Sequence, residues 1–131
     1  MAEAIGDGLA DEGVPYKAYY VPVSDRNYVV AEIFKTKAII IGSPTFNQGL
    51  LPTIMPVLED LRGLRFQNKI GAAFGCYGWS GESVKIIEEH LGRGKIPVVA
   101  QGVLAKWQPK TEDLARCRDL GHTVARAVKA G

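Results

Sequence analysis

Apolar and polar positions along the chain alternate between two periods. Tyr16 to Val21 is a β-rich run entered through Val14-Pro15, whereas Asn27 to Lys35 carries Val29, Val30, Ile33 and Phe34 at helical spacing behind an Asp25/Asn27 start signal. Lys37 to Gly42 is continuously apolar, the pattern of a strand buried on both faces of a parallel sheet, and it empties into Ser43-Pro44-Thr45-Phe46-Asn47-Gln48-Gly49. A helix is predicted from about Leu50 to Leu61, with Pro52 tolerated in its first turn. The unit then recurs: a strand at Lys69 to Gly75, an aromatic loop, and a helix from Ser80 to about Leu91 with Ser80 as N-cap and Val84, Ile86, Ile87 and Leu91 as its apolar face. The last strand falls within Pro97 to Lys106, broken at Gln101-Gly102. A closing helix runs from about Thr111 to Ala130, capped by Thr111, with Leu114, Cys117, Leu120, Val124 and Val128 as its core stripe. Met1, Ile5 and Leu9 form the apolar face of a helix at the amino end.

Repeated strand, loop and helix units predict an open parallel sheet with helices on both faces, a three-layer α/β arrangement. Ligands of such sheets bind beyond the carboxyl ends of the strands. Ser43 to Gly49 and Cys76 to Gly81 both leave strand carboxyl ends and are expected side by side.

Composition narrows the possibilities. A chain of 131 residues has room for one domain with a real core. Sixteen basic residues scattered among fourteen acidic ones, net +2, make no nucleic-acid surface. Neither apolar run, Ala38 to Ile41 or Pro97 to Ala100, approaches a membrane span, and Met1 to Asp7 carries no secretory signal, so the expected compartment is the cytoplasm. Cys76 and Cys117 lack metal-ligand spacing and read as reduced thiols, and no metal site is expected.

The candidate chemistry lies in the two loops. Thr45, Phe46, Asn47, Tyr77 and Trp79 offer aromatic faces among backbone donors, suited to a planar heteroaromatic with polar edges such as a flavin. Gly78 and Gly81 would let backbone amides approach that ring. The competing reading is that Tyr77 and Trp79 only cover the sheet end and the glycines make turns. Elsewhere Cys76 reads as a small residue at a strand end and Cys117 as core. His90 and His122 read as surface or cap residues without an evident partner. Glu59-Asp60 and Glu88-Glu89 read as solvated helix faces, and Trp107 as a packing residue.

Three stretches, GSPTFNQGLLP at Gly42 to Pro52, FGCYGWSGES at Phe74 to Ser83 and KWQPKTEDLARC at Lys106 to Cys117, together resemble the flavodoxin-like domain of the A-type flavoproteins, the flavo-diiron oxidoreductases. The resemblance covers essentially the whole chain. It implies a flavodoxin-like fold, an FMN cofactor and electron transfer to a di-iron domain on another segment or chain, whose partner reaction is the reduction of dioxygen or nitric oxide. Carried over by motif, Ser43, Pro44, Thr45, Phe46 and Asn47 flank the ring and ribityl chain. Cys76, Tyr77, Gly78, Trp79, Ser80 and Gly81 contact the isoalloxazine and its pyrimidine edge. No side chain serves as a catalytic acid or base, because the flavin carries the electrons.

The family pattern opens with a central strand and a loop around the FMN phosphate, whereas this chain begins inside what looks like the first helix, so both are expected to be missing. With strand order 2-1-3-4-5 that leaves an interior gap or forces strands two and three to pair directly. Hydrogen bonds to a charged phosphate are worth roughly 1.5 to 3 kcal/mol each, so FMN binding is expected to be weakened or lost. The first reading is therefore an FMN-binding electron-transfer domain. The second is a cofactor-free scaffold or self-association module, a homo-oligomer joined across the gap. A flavodoxin-like quinone reductase accounts for the loops but less well for KWQPKTEDL, and a receiver-type signalling domain is disfavoured because no acidic cluster ends the strands.

Overall fold

In the computed structural model, which describes residues 1–131, strands and helices alternate from Gly49 onward. In chain order they are α1 (Ala2–Asp11), α2 (Arg26–Phe34), β1 (Ala38–Phe46), β2 (Gly49–Leu50), α3 (Met55–Gly63), β3 (Ile70–Tyr77), α4 (Ser83–Arg93), β4 (Val103–Lys106) and α5 (Thr111–Ala130). The sheet order is β2-β1-β3-β4. β1, β3 and β4 run parallel, and β2 turns back antiparallel on the end of β1. Alternation along β1 divides the core: Ile39 and Ile41 pack with Leu58, Leu61, Ile87 and Leu91, while Ala38 and Ile40 face the opposite side with Ile5, Leu9, Leu120 and Val124. This is the three-layer α/β arrangement that the periodicity predicts. No helix is long and apolar enough to cross a membrane.

Several expected elements are corrected. Tyr16 to Val21 is not a strand; it runs without a ladder into a 3-10 turn at Val21–Val23. A strand needs a neighbour for its N–H and C=O groups, and within residues 1–131 this segment pairs with none. It is held by side chains instead: Lys17 donates to the buried Glu32 at 2.9 Å, and Tyr19 meets Tyr28 edge-on at 6.0 Å. Nor does it pair directly with β1. Because the Lys37 carbonyl accepts from the Ile70 N–H, parallel alternation turns the backbone groups of Ala38, Ile40 and Gly42 away from β3, to a side where no strand lies within residues 1–131. The helix expected from Leu50 is split into a 3-10 turn at Pro52–Ile54 and α3. Leu114 is exposed rather than in the core stripe, and α5 is capped at Lys110, whose N–H donates to Asp113 Oδ2 at 2.9 Å.

The closest backbone approach joins α1 to α5. A Cβ at Gly8 would lie 2.1 Å from the Arg118 carbonyl oxygen, and one at Gly121 would lie 2.2 Å from that of Ile5. Around this crossing, Arg118 Nε and Nη2 donate to Asp11 at 2.7 and 2.8 Å, His122 Nε2 lies 2.8 Å from Asp11 Oδ2, and Arg126 and Lys129 reach Glu12. His122 thus has the partner that its sequence context did not reveal. His90 is buried rather than at the surface.

The Arg118 hydrogen bond, then that of His122, lowers the Asp11 carboxyl to about 2. A carboxylate lowered in the folded state contributes stability above its unfolded value, near 3.9, and loses it as pH falls through about 2. Asp11→Asn should therefore unfold at lower denaturant than wild type at pH 5, with the gap closing towards pH 2. A gap that stays constant across that range would show that the ion pair contributes nothing.

Candidate functional site

The carboxyl ends of β1 and β3 lie side by side, with Ser43 opposite Gly75 and Pro44 opposite Cys76. Gly75 is the close-approach position, since a Cβ there would stand 2.5 Å from both the Ser43 carbonyl oxygen and Ser83 Oγ. Its bareness lets the first residue of α4 settle on the strand ends, where the Ser83 N–H donates to Thr45 Oγ1 at 3.3 Å. Ser43 is buried; its Oγ donates to the Pro44 carbonyl at 2.8 Å and accepts from the Leu51 N–H at 3.0 Å. The two loops predicted to meet are thus tied to each other.

The first loop is shorter than its sequence suggests. Thr45 and Phe46 continue β1, Asn47 and Gln48 form a two-residue turn with φ 50° and 61°, and Gly49–Leu50 returns as β2. Two consecutive left-handed residues match the twist of a tight hairpin, which suits Asn far better than Gln. Phe46 emerges half exposed.

In the second loop, Cys76 and Tyr77 belong to β3, and the irregular residues are Gly78 to Glu82. Its two aromatics part company. Tyr77 packs beneath Gly81 beside Leu104, whereas Trp79 is 96 % exposed. The glycines have a packing reason of their own: a Cβ at Gly78 would meet the Trp107 ring at 2.7 Å, and one at Gly81 would meet Leu104 at 2.8 Å. The covering role accounts for Tyr77 and both glycines, but not for Trp79, which covers nothing.

The expected cap at Ser80 is also corrected. α4 begins three residues later, with Glu82 at the N-cap position, because Ser83 is drawn onto Thr45 and Gly75. At this helix start Glu82 Oε2 and Ser83 Oγ are buried without a hydrogen-bond partner. From the sequence Glu82 reads only as an acidic residue suited to the positive end of the helix dipole, and neither it nor Ser83 is among the expected site residues.

An open depression of about 470 Å³ lies on the α5 side of Tyr77, lined among others by Leu104, Trp107, Lys110, Asp113 and Arg116 and by none of Ser43 to Asn47. It is distinct from the junction of the two loops. The Lys110 N–H and the Arg116 guanidinium hold the Asp113 carboxyl below its ordinary range. No three His, Cys, Asp or Glu side chains converge as metal ligands. Cys117 is fully buried and burial pushes its thiol up, while Cys76 is half-buried at the end of its strand.

A family model described as Flavodoxin matches residues 1–121. The chain is 46 % identical over 129 residues to a nitric oxide reductase of Moorella thermoacetica, covering 98 % of this chain and 32 % of that protein. It is 38 % identical to a rubredoxin-oxygen oxidoreductase of Megalodesulfovibrio gigas, covering 99 % and 32 %. Among solved structures, rubredoxin oxygen:oxidoreductase from Desulfovibrio gigas superposes with a TM-score of 0.95 at 38 % identity, covering 98 % of this chain and 32 % of that one. A flavodoxin from the domain Archaea superposes at 0.85 with 34 % identity, covering 98 % and 87 %. The chain spans about a third of the length of these two oxidoreductases.

Proposed function

The chain belongs to the flavodoxin family, and from that premise we propose that it binds FMN at the junction of its two loops and serves as an electron-transfer module. The observation that carries this reading is Trp79, an indole 96 % exposed on a loop whose neighbours are otherwise packed and hydrogen-bonded. Such a side chain gains little from its own fold, and a planar ligand gives it a partner. Ser43, Pro44, Thr45, Phe46 and Asn47 would line one side of the ring. Cys76, Tyr77, Gly78, Trp79, Ser80 and Gly81 would line the other. The residues present fit that group: two linked loops, two exposed aromatic faces at Phe46 and Trp79, and in Glu82 Oε2 an unused acceptor suited to an N–H edge.

When bound, FMN supplies reversible one- or two-electron transfer. The protein's part is to hold the ring and exclude water from one side of it. Residues 1–131 form a single flavodoxin-like module in this proposal, and the reduction of nitric oxide or dioxygen belongs to a partner centre on another segment or chain.

Neither Ser43 to Asn47 nor Cys76 to Gly81 contains a lysine or arginine, so the proposed contacts offer the FMN phosphate no cation. Titration of residues 1–131, followed through quenching of flavin fluorescence, should therefore give FMN and riboflavin dissociation constants within about threefold of each other, where a single charge-assisted hydrogen bond of roughly 1.5 kcal/mol would separate them tenfold. Saturable quenching supports the ring site, and a large preference for FMN would mean that these residues cradle the phosphate after all. No quenching by either flavin at millimolar concentration would favour the second reading, a cofactor-free scaffold or self-association module.

A further inference from the structure

Trp107 follows directly on β4, in the stretch KWQPKTEDL, and its backbone is left-handed with φ 58°. That conformation is unfavourable for a bulky residue and persists only where its surroundings impose it. Burial does not impose it, because the side chain is 67 % exposed. Two contacts hold the residue against the end of β3 and the aromatic loop. The Trp107 N–H donates to the Tyr77 carbonyl at 2.6 Å, closing the last pair of the β3–β4 ladder, Tyr77 with Lys106. The indole lies against Gly78 so closely that a Cβ there would meet its Cζ3 and Cη2 at 2.7 and 2.8 Å. At the far end of the loop, Gly81 sits on Leu104, also from β4, and on the Tyr77 ring. The segment Gly78 to Gly81 is therefore gripped at its two glycines, by Trp107 at one end and by Leu104 and Tyr77 at the other, while Trp79 projects between them.

We infer that Trp107 is a positioning residue: it latches the start of the loop and thereby fixes the attitude in which Trp79 meets a planar ligand. It touches no ligand itself and acts through Gly78 and Tyr77. The identity of the ligand rests on the flavin reading above, but the latch does not.

Two measurements on the full chain separate the two. In protein without added flavin, Trp107→Ala should raise hydrogen–deuterium exchange at Gly78 to Gly81 by tenfold or more, leave α1 and α5 unchanged, and be largely reversed in Trp107→Phe, whose smaller ring can still lie on Gly78. In flavin titration the same Trp107→Ala variant should bind FMN about tenfold more weakly, again with recovery in the Phe variant. Unchanged loop exchange would overturn the latch whatever the flavin does. Faster exchange with undiminished FMN affinity would overturn the positioning role. Absence of FMN binding in wild type, with the exchange result intact, would overturn the flavin reading and leave the latch standing.

Discussion

Trp79→Ala should weaken flavin binding by roughly 10- to 100-fold and leave the melting midpoint of the free protein where it was. The effect on binding follows from stacking, since an aromatic side chain against a planar heterocycle is worth about 1–3 kcal/mol and each 1.4 kcal/mol is a factor of ten. The absence of an effect on stability follows from exposure, because an indole that is 96 % accessible takes almost no packing with it when removed. Tyr77→Ala provides the contrast: its ring supports Gly81 and lies beside Leu104, so stability should fall along with binding. FMN fluorescence titration and thermal melts of the two variants make the comparison. Wild-type affinity in Trp79→Ala would remove the main support for the ring site, and a lowered melting midpoint would mean that the indole packs on its own loop.

The largest loss of stability should come from one methyl group far from that site. Gly121→Ala is expected to destabilise the fold by about 2–3 kcal/mol, a fall of about 10 °C in Tm. Two effects oppose each other. Alanine is the better helix former by about 1 kcal/mol. Against this, the new Cβ would stand 2.2 Å from the Ile5 carbonyl oxygen and 3.0 Å from the Gly8 Cα, and backbone atoms cannot rotate aside as a side chain can. α1 must then move off α5, loosening Ile5, Leu9, Leu120 and Val124 together. Steric overlap wins because it acts on a whole helix interface. A Gly121→Ala variant that melts above wild type would show that the interface yields and propensity decides.

The buried half of the molecule was legible in the sequence. Continuous apolar runs marked β1 and β3, the break at Gln101-Gly102 fell just before β4, and the helical stripes found Ile5, Leu9, Ile87, Leu91, Cys117 and Val124. Misreadings occurred where a residue's state depends on a partner distant in the chain. Tyr16 to Val21 has strand composition but no neighbour to pair with, and composition cannot report that. Gly8 and Gly121 carry no signal in the sequence, and their role shows only where the two helices touch. Asp11 and His122 are separated by more than a hundred residues, so their contact left no local trace. Placing the two loops at neighbouring strand ends needed only the direction of the strands. Which aromatic faces outward needed the packing of Leu104 and Trp107, neither of which lies in either loop.

The hairpin at the end of β1 also governs how this chain can change over evolutionary time. Side chains on a strand alternate faces with a period of two, and the Asn47-Gln48 turn joins two arms in fixed register, Phe46 opposite Gly49 and Thr45 opposite Leu50. Substituting Gly or Asp into the turn preserves that register. Inserting or deleting one residue on the β1 side does not: it would exchange the faces of Thr45 and Phe46, turning the hydroxyl away from Ser83 and the aromatic ring into the protein. Variation by substitution is thus open to this segment, while variation by length is closed.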